Sequence, residues 1–330
     1  MSSTAMNATV TKSTVIWAPL FRIATRQKAF LAILIMLVGM IFSHTDFYTA
    51  YNLLDMLNST SILLILAFGV TLTIISGGCD LSIGGILVVS GILAIRLLDA
   101  MPMWLAIVLA VLFGAVVGFV NGFLVVHQKT EPFIITLGMG LLLVGIAQQL
   151  TDAHPIPAKN PDFMVIGNGD FHGVPNLVMI MVVCFAASYA LMRFTAFGRN
   201  LYAIGGDYDV ARYSGINVIA TKWVAFVISG AAAGLAGVLL SSKLNTGSPV
   251  YGETTALVVN CGVVVGGTSF AGGIGGIPQS GLGLLVFGLL DNVMNMLGIA
   301  SYYQVLLKGA VIVTIIWLDC FNQKVKREAV

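Results

Sequence analysis

Few residues in this chain could perform ionic or proton chemistry inside apolar sequence, and Asp80 is the most unusual of them. It is the only Asp, Glu, Lys, Arg or His between Ser61 and Ile95. A carboxylate in such surroundings can carry a proton or a cation, or contact a polar solute. Placed before an apolar run, it can also accept hydrogen bonds from the free N–H groups of a helix start. Both roles stay open for Asp80, and Ser82 shares its position at the predicted helix start.

The other polar residues inside apolar segments are mostly neutral. They are amides and hydroxyls: Asn58, Ser59, Thr71, Thr73, Asn121, Thr136, Gln148, Gln149, Asn260, Asn292 and Asn295. If these segments cross a membrane, such groups suit a conduit for a neutral polyhydroxylated solute, because they form hydrogen bonds without deep electrostatic wells. Hydrogen bonding between helices explains any one of them equally well. The candidate translocation-path residues are Asp80, Ser82, Asn121, Asn260 and Asn292.

Asp291 is a second carboxylate within an apolar segment. Lys308, in the next apolar segment, is a candidate partner for it, although a lysine there can also extend its ammonium group to the outer interface. A proton or cation bound by Asp80 or Asp291 at a broken helix is typical of a secondary transporter. That class stays open at this point.

Motifs for enzymatic or metal chemistry are absent from the sequence. There is no Gly-x-x-x-x-Gly-Lys-Ser/Thr loop for ATP, no Gly-x-Ser-x-Gly and no His-Glu-x-x-His. The four Cys residues form no Cys-x-x-Cys pair, and the His and Asp residues of the loop at 151–175 match no pattern of metal ligands. No basic patch with interleaved aromatic residues suggests nucleic acid. We therefore expect neither an enzyme nor a metal or cofactor bound by this chain.

The composition predicts an all-α polytopic membrane protein that must position these residues. Hydrophobic residues make up 58% of the sequence, charged residues make up 9%, and the mean hydropathy is +0.97. The segment from Ser61 to Ile95 would be about 52 Å long as one helix, against about 30 Å of hydrocarbon, so a break is expected near Gly77-Gly78. The apolar runs predict ten spans, near residues 29–45, 58–76, 81–98, 102–126, 133–150, 176–194, 223–241, 254–270, 279–297 and 303–320.

The distribution of Lys and Arg predicts the orientation. With the N-terminus inside, twelve of the 16 Lys and Arg residues fall on the cytoplasmic side, as the positive-inside rule expects. The predicted organisation is then a cytoplasmic tail, a transmembrane domain and a second cytoplasmic tail, at 1–28, 29–321 and 322–330. The two long loops are an outer one at 151–175 and an inner one at 195–222. This orientation places Asp80 near the cytoplasmic end of the predicted helix pair. A helix-capping and gate-shaping role is therefore favoured for Asp80 over direct solute binding.

Glycine-rich segments are expected to interrupt the helices. Gly266–Gly276 resembles Gly77-Gly78 in this respect, because irregular backbone at membrane depth is tolerated where protein or a water-filled cavity surrounds it. Within the inner loop, Asn200–Ile204 and Asp207–Tyr213 are predicted as short helices interrupted by Gly205-Gly206 and closed by Gly215. Most other glycines are expected to allow close helix packing.

Blocks of sequence in one order resemble the membrane permeases of ribose-, xylose- and galactose-type ABC sugar importers. The blocks are TLTIISGGCDLSIGG, FVNGFLVV, EPFIITLGM, TAFGRNLYAIGGDYDVARYSGINV, VVVGGTSFAGGIGG and NVMNMLGIASYYQVLLKG. The resemblance covers nearly the whole chain. Departures from the family pattern are Asp207 where Asn is common, Pro278-Gln279 in a usually Gly-rich stretch, and Cys79 at a usually aliphatic position.

The resemblance implies a multi-pass protein of the bacterial inner membrane, which contacts membrane lipid and works with three kinds of protein partner. Those partners are a second permease, either identical or a paralogue, an ABC ATPase subunit that uses ATP on the cytoplasmic face, and a periplasmic sugar-binding protein. The residues it implies for coupling to the ATPase are Arg199, Asn200, Ala203, Gly205, Gly206, Arg212, Ser214, Gly215 and Ile216. Substrates other than sugars, a secondary transporter, and a receptor or scaffold without transport remain as alternatives.

Overall fold

The computed structural model describes residues 45–328 of the chain. The predicted N-terminal tail, 1–28, lies outside the described residues, and so does the predicted first span, 29–45, except for its last position. A short 3-10 helix at Thr45–Tyr48 opens the described part.

Helices dominate the described residues, as the composition predicts. They are α1 (Ala50–Ile75), α2 (Ile83–Leu98), α3 (Met103–Gly122), α4 (Pro132–Thr151), α5 (Pro161–Asn168), α6 (Asn176–Phe194), α7 (Ala196–Gly206), α8 (Tyr208–Tyr213), α9 (Val218–Leu244), α10 (Gly252–Val265), α11 (Ile277–Met296) and α12 (Ser301–Glu328). Four two-residue strands form two antiparallel pairs, β1 (Ile156–Pro157) with β4 (Thr246–Gly247) and β2 (Asp170–Phe171) with β3 (Val174–Pro175). The predicted spans from 58–76 onward each coincide with a helix in this series.

Among residues 45–328, six helices are long and apolar enough to cross a membrane: α1, α3 with its continuation to His127, α4, α6, α9 and α11. Two predicted spans, 81–98 and 254–270, contain shorter helices. With 16 and 14 residues, α2 and α10 are about 24 Å and 21 Å long, less than the hydrocarbon thickness. Both lie next to a glycine-rich break. If these segments cross a membrane, as predicted, irregular backbone completes their passage and must be surrounded by protein.

The core is formed by α1, α2 and α9, whose side chains are largely buried inside the bundle. Helices α3 and α9 pack with their backbones in close contact. A side chain at Gly114 or Gly118 would overlap the backbone of α9 at Gly230 or Phe226, and a side chain at Gly230 would overlap Gly114. The expectation that many glycines serve close packing is therefore confirmed for this pair of helices.

Polar residues start several helices by accepting hydrogen bonds from free backbone N–H groups. Thr195 accepts from Gly198 N at the start of α7, and Asn217 accepts from Ala220 N at the start of α9, at 3.3 and 3.0 Å. Pro278 occupies the first turn of α11, where its missing N–H has no intrahelical partner to lose. This departure from the family pattern thus fits the start of a helix.

The inner loop contains the two predicted short helices, but their junction differs from the prediction. Helix α7 continues through Gly205 and Gly206, so the predicted interruption at these glycines is wrong. The break lies at Asp207, whose extended backbone separates α7 from α8 and whose carboxylate accepts from Asp209 N and Val210 N at 2.9 and 3.0 Å. Gly215 closes α8 with a φ of +84°, as predicted.

The outer loop at 151–175 is folded rather than extended in solvent. It contains α5, β1 and the β2–β3 pair. It docks on the end of α9, where Ser242 Oγ accepts from Gly167 N at 2.8 Å and donates to Phe163 O. Phe163 is fully buried.

The last helix, α12, runs past residue 321 into the predicted C-terminal tail, 322–330, and ends at Glu328.

Candidate functional site

The candidate site begins where α1 ends. Gly77 has a φ of +76°, and the N–H groups of Gly77 and Gly78 donate to Ile74 O and Thr73 O, each at 2.9 Å. This turn ends α1 and confirms the break predicted near Gly77-Gly78. The residues that follow lead into α2 without helical structure, and Asp80 is the second of them.

Asp80 is fully buried, and its carboxylate accepts three hydrogen bonds from neutral donors. Oδ1 accepts from Ser82 N at 3.0 Å and from Ser82 Oγ at 2.6 Å, and Oδ2 accepts from Ser229 Oγ of α9 at 2.7 Å. The ion pairs among the described residues do not involve it. The bond to Ser82 N satisfies one free donor at the start of α2, although Ser82 itself occupies the N-cap position.

Other buried polar side chains join Asp80 to the surrounding helices. Asn121 Nδ2 of α3 donates to Ser82 Oγ at 2.8 Å, and Asn260 Nδ2 of α10 donates to Asp80 O at 3.0 Å. Thr136 Oγ1 of α4 accepts from Leu81 N at 3.0 Å. We call this group the Asp80 cluster: Asp80, Ser82, Asn121, Thr136, Ser229 and Asn260. It links the entry of α2 to four other helices, and every member is buried.

Four of the five candidate path residues therefore lie together in the Asp80 cluster, while Asn292 lies elsewhere. Ser229, which accounts for one of the three bonds to Asp80, was not singled out from the sequence. The available signal was its place directly before Gly230, in a row of small residues, because a hydroxyl at a close helix crossing usually hydrogen-bonds across it.

Asn292 lies beside a cavity between α1 and α11. Its side-chain amide exchanges two hydrogen bonds with that of Asn52, at 2.9 and 3.1 Å. The cavity measures about 80 Å³, and we call it the α1–α11 cavity. Its lining consists of Asp55, Met56, Ser59, Thr60, Leu63, Gly288, Asp291, Asn292 and Asn295. Carboxylate, hydroxyl and amide groups thus share one small space.

Asp291 pairs with Lys308 of α12 at 2.6 Å, as proposed from the sequence. The two side chains are 30% and 23% exposed. Because a cation already neutralises Asp291, this carboxylate is less suited than Asp80 to bind a transported proton or cation.

Helix α7 of the inner loop docks against both glycine-rich breaks. Gly273 N donates to Ile75 O at 2.9 Å, and Gly205 fits against this contact so closely that a Cβ on it would overlap Ile75 O and Gly273 N. Tyr202 Oη donates to Gly275 O at 2.8 Å. Burial raises the pKa of Tyr202, which keeps the phenol protonated as a donor. We call the contacts that join Tyr202 and Gly205 of α7 to Ile75, Gly273 and Gly275 the glycine junction.

The coupling residues implied by the family resemblance divide by exposure. Arg199, Ala203, Gly206, Arg212, Ser214 and Gly215 are exposed, whereas Asn200, Gly205 and Ile216 are half-buried. The opposite face of α7 buries Gly198, Leu201 and Ile204. The inner loop thus presents a polar and small-residue face outward while its apolar face holds it on the bundle.

Comparison with known proteins gives a consistent set of relatives. The family model described as branched-chain amino acid transport system / permease component matches residues 52–316. The ribose import permease protein of Haemophilus influenzae is 36% identical over 303 residues, which cover 90% of this chain and 94% of that protein. The ribose import permease protein of Bacillus subtilis is 38% identical over 88% of this chain and 91% of its own length.

A further relative carries a different sugar in its name. The D-allose transport system permease protein of Escherichia coli is 34% identical, over 88% of this chain and 89% of its own length. No solved structure matches the chain. A family match across most of a chain rich in membrane-spanning helices, together with relatives aligned over nearly their full length, identifies its class. The chain belongs to the branched-chain amino acid transport system / permease component family, and within it to the ribose-type permeases of ABC importers.

Proposed function

We propose that this chain is the permease subunit of an ATP-driven importer that moves a monosaccharide inward across the bacterial inner membrane. The observation that carries the proposal is the alignment with ribose import permeases over 90% of the chain. The substrate is a pentose or hexose, in line with the ribose and D-allose named for its relatives. A separate ATPase subunit uses the ATP, a periplasmic binding protein delivers the sugar, and a second permease, identical or paralogous, completes the path.

The exposed face of α7 and α8 is the proposed contact with the ATPase. Movement of that subunit would push α7 as a rigid body, and the glycine junction offers a direct mechanical route onward. Gly205 and Tyr202 touch the backbone at Ile75 and Gly275, which are the ends of the two breaks that lead into α2 and α11. A displacement of α7 would therefore move the Asp80 cluster with the entry of α2.

The sugar path is proposed to start at the α1–α11 cavity. Asp55, Ser59 and Asn292 offer the carboxylate, hydroxyl and amide groups that hydrogen-bond to sugar hydroxyls. Polar groups within membrane helices face protein or water rather than lipid, so this side of α1 and α11 should face the partner permease. The Asp80 cluster is proposed to shape the gate, because its members are enclosed by the helices of this chain.

Assembly with the ATPase tests the coupling part of this proposal. Ala203→Glu adds a bulky charge to the exposed face of α7, and it should reduce co-purification of the ATPase subunit several-fold. Ala100→Glu is the matched control, since Ala100 is also exposed and lies on the connection between α2 and α3. Equal recovery of the ATPase with both variants would contradict docking on α7.

ATP hydrolysis by the assembled complex tests the substrate class. We expect the binding protein loaded with one monosaccharide, such as ribose or D-allose, to stimulate hydrolysis, and amino acids to have no effect. Stimulation by a branched-chain amino acid, with none by any sugar, would contradict a monosaccharide importer.

A secondary transporter remains the second candidate because of Asp80. A buried carboxylate with only neutral donors around it is the arrangement expected of a proton carrier at a broken helix. This candidate requires transport without an ATPase partner, and a direct measurement of flux separates the two.

A further inference from the structure

A basic groove lies at the end of the molecule that the Lys and Arg distribution assigns to the cytoplasm. It measures about 400 Å³ and lies between the end of α3, helix α8 and the start of α9. We call it the α3–α8 groove. Its lining consists of Val126, His127, Lys129, Tyr208, Arg212, Ile216, Asn217, Val218 and Ile219. Arg212 and Ile216 are among the proposed coupling residues, but a contact with the ATPase does not explain why His127 and Lys129 meet them here.

The charges in the groove favour an anionic ligand. Lys129 and Arg212 line it together with His127, and no carboxylate does. Within residues 45–328, the ion pairs join other residues, so neither cation has a carboxylate partner there. Two unpaired cations and an imidazole from separate elements therefore converge on one space. Asn217 and Tyr208 add uncharged hydrogen-bonding groups.

The backbone at the end of α3 is unusual at the same place. Phe123–His127 forms a π-helical turn, and Lys129 has a φ of +52°, which is rare for a residue with a side chain. Thr130 Oγ1 donates to Leu124 O at 2.8 Å and so satisfies a carbonyl that the irregular turn leaves free. Conformations of this kind are retained where they place a side chain for a purpose. Here they bring His127 and Lys129 to the groove.

Apolar and aromatic side chains continue from the groove along the bundle. Phe123 stacks on His127 with ring centroids 5.2 Å apart, and Phe119 lies 4.6 Å from Trp223. Trp223 Nε1 donates to Phe119 O at 2.8 Å. Phe119, Phe123 and Ile219 remain 49%, 37% and 44% exposed. A basic groove that passes directly into exposed apolar surface matches a ligand with an anionic head and an apolar tail.

We propose that the α3–α8 groove binds an anionic phospholipid, with its phosphate between Lys129 and Arg212 and its acyl chains against Phe119, Phe123 and Ile219. Basic pockets at the cytoplasmic ends of membrane helices are suited to anionic headgroups, and aromatic side chains are enriched at the same depth. Because Arg212 belongs to α8 and Lys129 follows α3, one lipid would tie the inner loop to the bundle. The lipid would thereby hold α7 and α8 in position.

Fluorescence of Trp223 offers a local test, because bromine on acyl chains quenches only nearby indoles. The experiment uses the full-length chain with Trp17, Trp104 and Trp317 replaced by Phe, in vesicles containing brominated phosphatidylglycerol or brominated phosphatidylcholine at equal mole fraction. We expect markedly stronger quenching by phosphatidylglycerol. Equal quenching by the two lipids would overturn the proposal.

Charge variants assign the preference to the groove. The double variant Lys129→Gln/Arg212→Gln should lower the preference for phosphatidylglycerol roughly tenfold or more, since each cation near an anionic surface contributes about fivefold. Arg193→Gln is the control, because Arg193 is exposed near the same end but does not line the groove. Lys129→Arg should retain the preference. An equal loss with Arg193→Gln would overturn the assignment to the groove.

Two further arms distinguish other occupants. Millimolar inorganic phosphate should leave the quenching unchanged if the lipid is the ligand, and displacement of the lipid by phosphate would identify a site for the free anion instead. Unchanged quenching in the double variant, with loss of ATPase co-purification, would identify the groove as a protein contact. Either result would overturn the lipid proposal while leaving the proposed transport function intact. Size-exclusion chromatography of each variant checks that the exposed substitutions leave the fold unchanged.

Discussion

At the scale of single residues, Asp80 matters because it is fully enclosed and has no cationic partner among the described residues. Its three bonds come from a backbone N–H and two hydroxyls, and these donors fix the rotation of α2 relative to α9. A hydroxyl can reverse its role between donor and acceptor. The cluster can therefore accommodate an uncharged side chain of the same shape. If the role of Asp80 is structural, such a side chain should replace it; if the negative charge is required, it should not.

Replacing Asp80 by Asn tests that distinction. In Asp80→Asn, Oδ1 can still accept from Ser82 N, while the amide donates to Ser229 Oγ, so thermal stability in detergent and ATP-coupled transport should change little. Asp80→Ala leaves Ser82 N and two hydroxyls without their acceptor and should lower the free energy of unfolding by about 1–3 kcal/mol. Thermal unfolding of the purified variants, monitored by size exclusion, compares their stability. Sugar uptake into vesicles measures transport by Asp80→Asn. Loss of transport in a normally folded Asp80→Asn protein would show that the charge itself is required.

The pair formed by Asp291 and Lys308 is expected to behave differently, because here both partners are charged. Lys308→Met leaves a largely enclosed carboxylate without its cation and should destabilise the protein by about 2 kcal/mol. Adding Asp291→Asn removes the stranded charge and should restore much of that stability. The interaction free energy of the double-mutant cycle checks this expectation, and purely additive effects would show that the pair is not coupled.

Sequence reasoning identified these residues more readily than their contacts. Asp80, Asp291 and Lys308 stand out as rare charges in apolar sequence, and the pairing of the last two is confirmed by the structure. Ser229 was missed, since a serine in a helix carries little signal until its neighbours are known. Asn292 looks like Asn260 in the sequence, yet one lines an open cavity and the other lies inside the bundle.

At the scale of elements, the glycine junction joins three segments that are far apart in the sequence. Helix α7 meets the end of α1 and the loop 266–276 backbone to backbone, and Gly205 permits that approach because it has no side chain. The interruption predicted at Gly205-Gly206 was wrong for this reason. A pair of glycines in sequence suggests a break, but here the helix tolerates them because close packing against Ile75 and Gly273 offsets their low helix propensity.

Gly205 should therefore be intolerant of any side chain. Gly205→Val would push α7 away from Ile75 and is expected to reduce sugar-stimulated ATP hydrolysis and transport together, at least tenfold, while the bundle stays folded. Gly145→Val is the control, because Gly145 lies within helix α4, outside the proposed contact with the ATPase, and a Cβ on it meets no atom within 4 Å. Transport assays in vesicles with both variants measure the difference. Similar activities for the two variants would contradict the junction as the mechanical route.

At the scale of the whole molecule, the segments assigned to each side of the membrane meet at opposite ends of the bundle. The inner loop, the glycine-rich breaks and the end of α3 meet through the glycine junction and the α3–α8 groove. At the other end, Lys159 pairs with Asp99 at 2.9 Å, and Arg96 Nη2 donates to Leu150 O at 2.7 Å. Hydropathy and charge therefore predicted which segments share an end, even though the orientation in the membrane stays a prediction.

The limits of sequence reasoning at this scale come from tertiary contacts. Apolar runs indicated where helices lie, but they could not show that α2 and α10 are too short to cross the hydrocarbon alone, because the flanking apolar residues belong to irregular backbone. The apolar runs also could not show that the outer loop folds against the bundle. Its helix α5 depends on the buried Phe163 and on bonds to Ser242, which lies in α9.

Uptake of a labelled monosaccharide into sealed vesicles, using the sugar that stimulates ATP hydrolysis, tests the central claim most directly. The vesicles contain this permease with its ATPase subunit and are loaded with ATP, and the binding protein is added outside. The account predicts accumulation that requires internal ATP, the ATPase and the binding protein, and that continues when a protonophore removes the proton gradient. Sugar uptake that proceeds without the ATPase and collapses with the proton gradient would contradict this account and establish a secondary transporter.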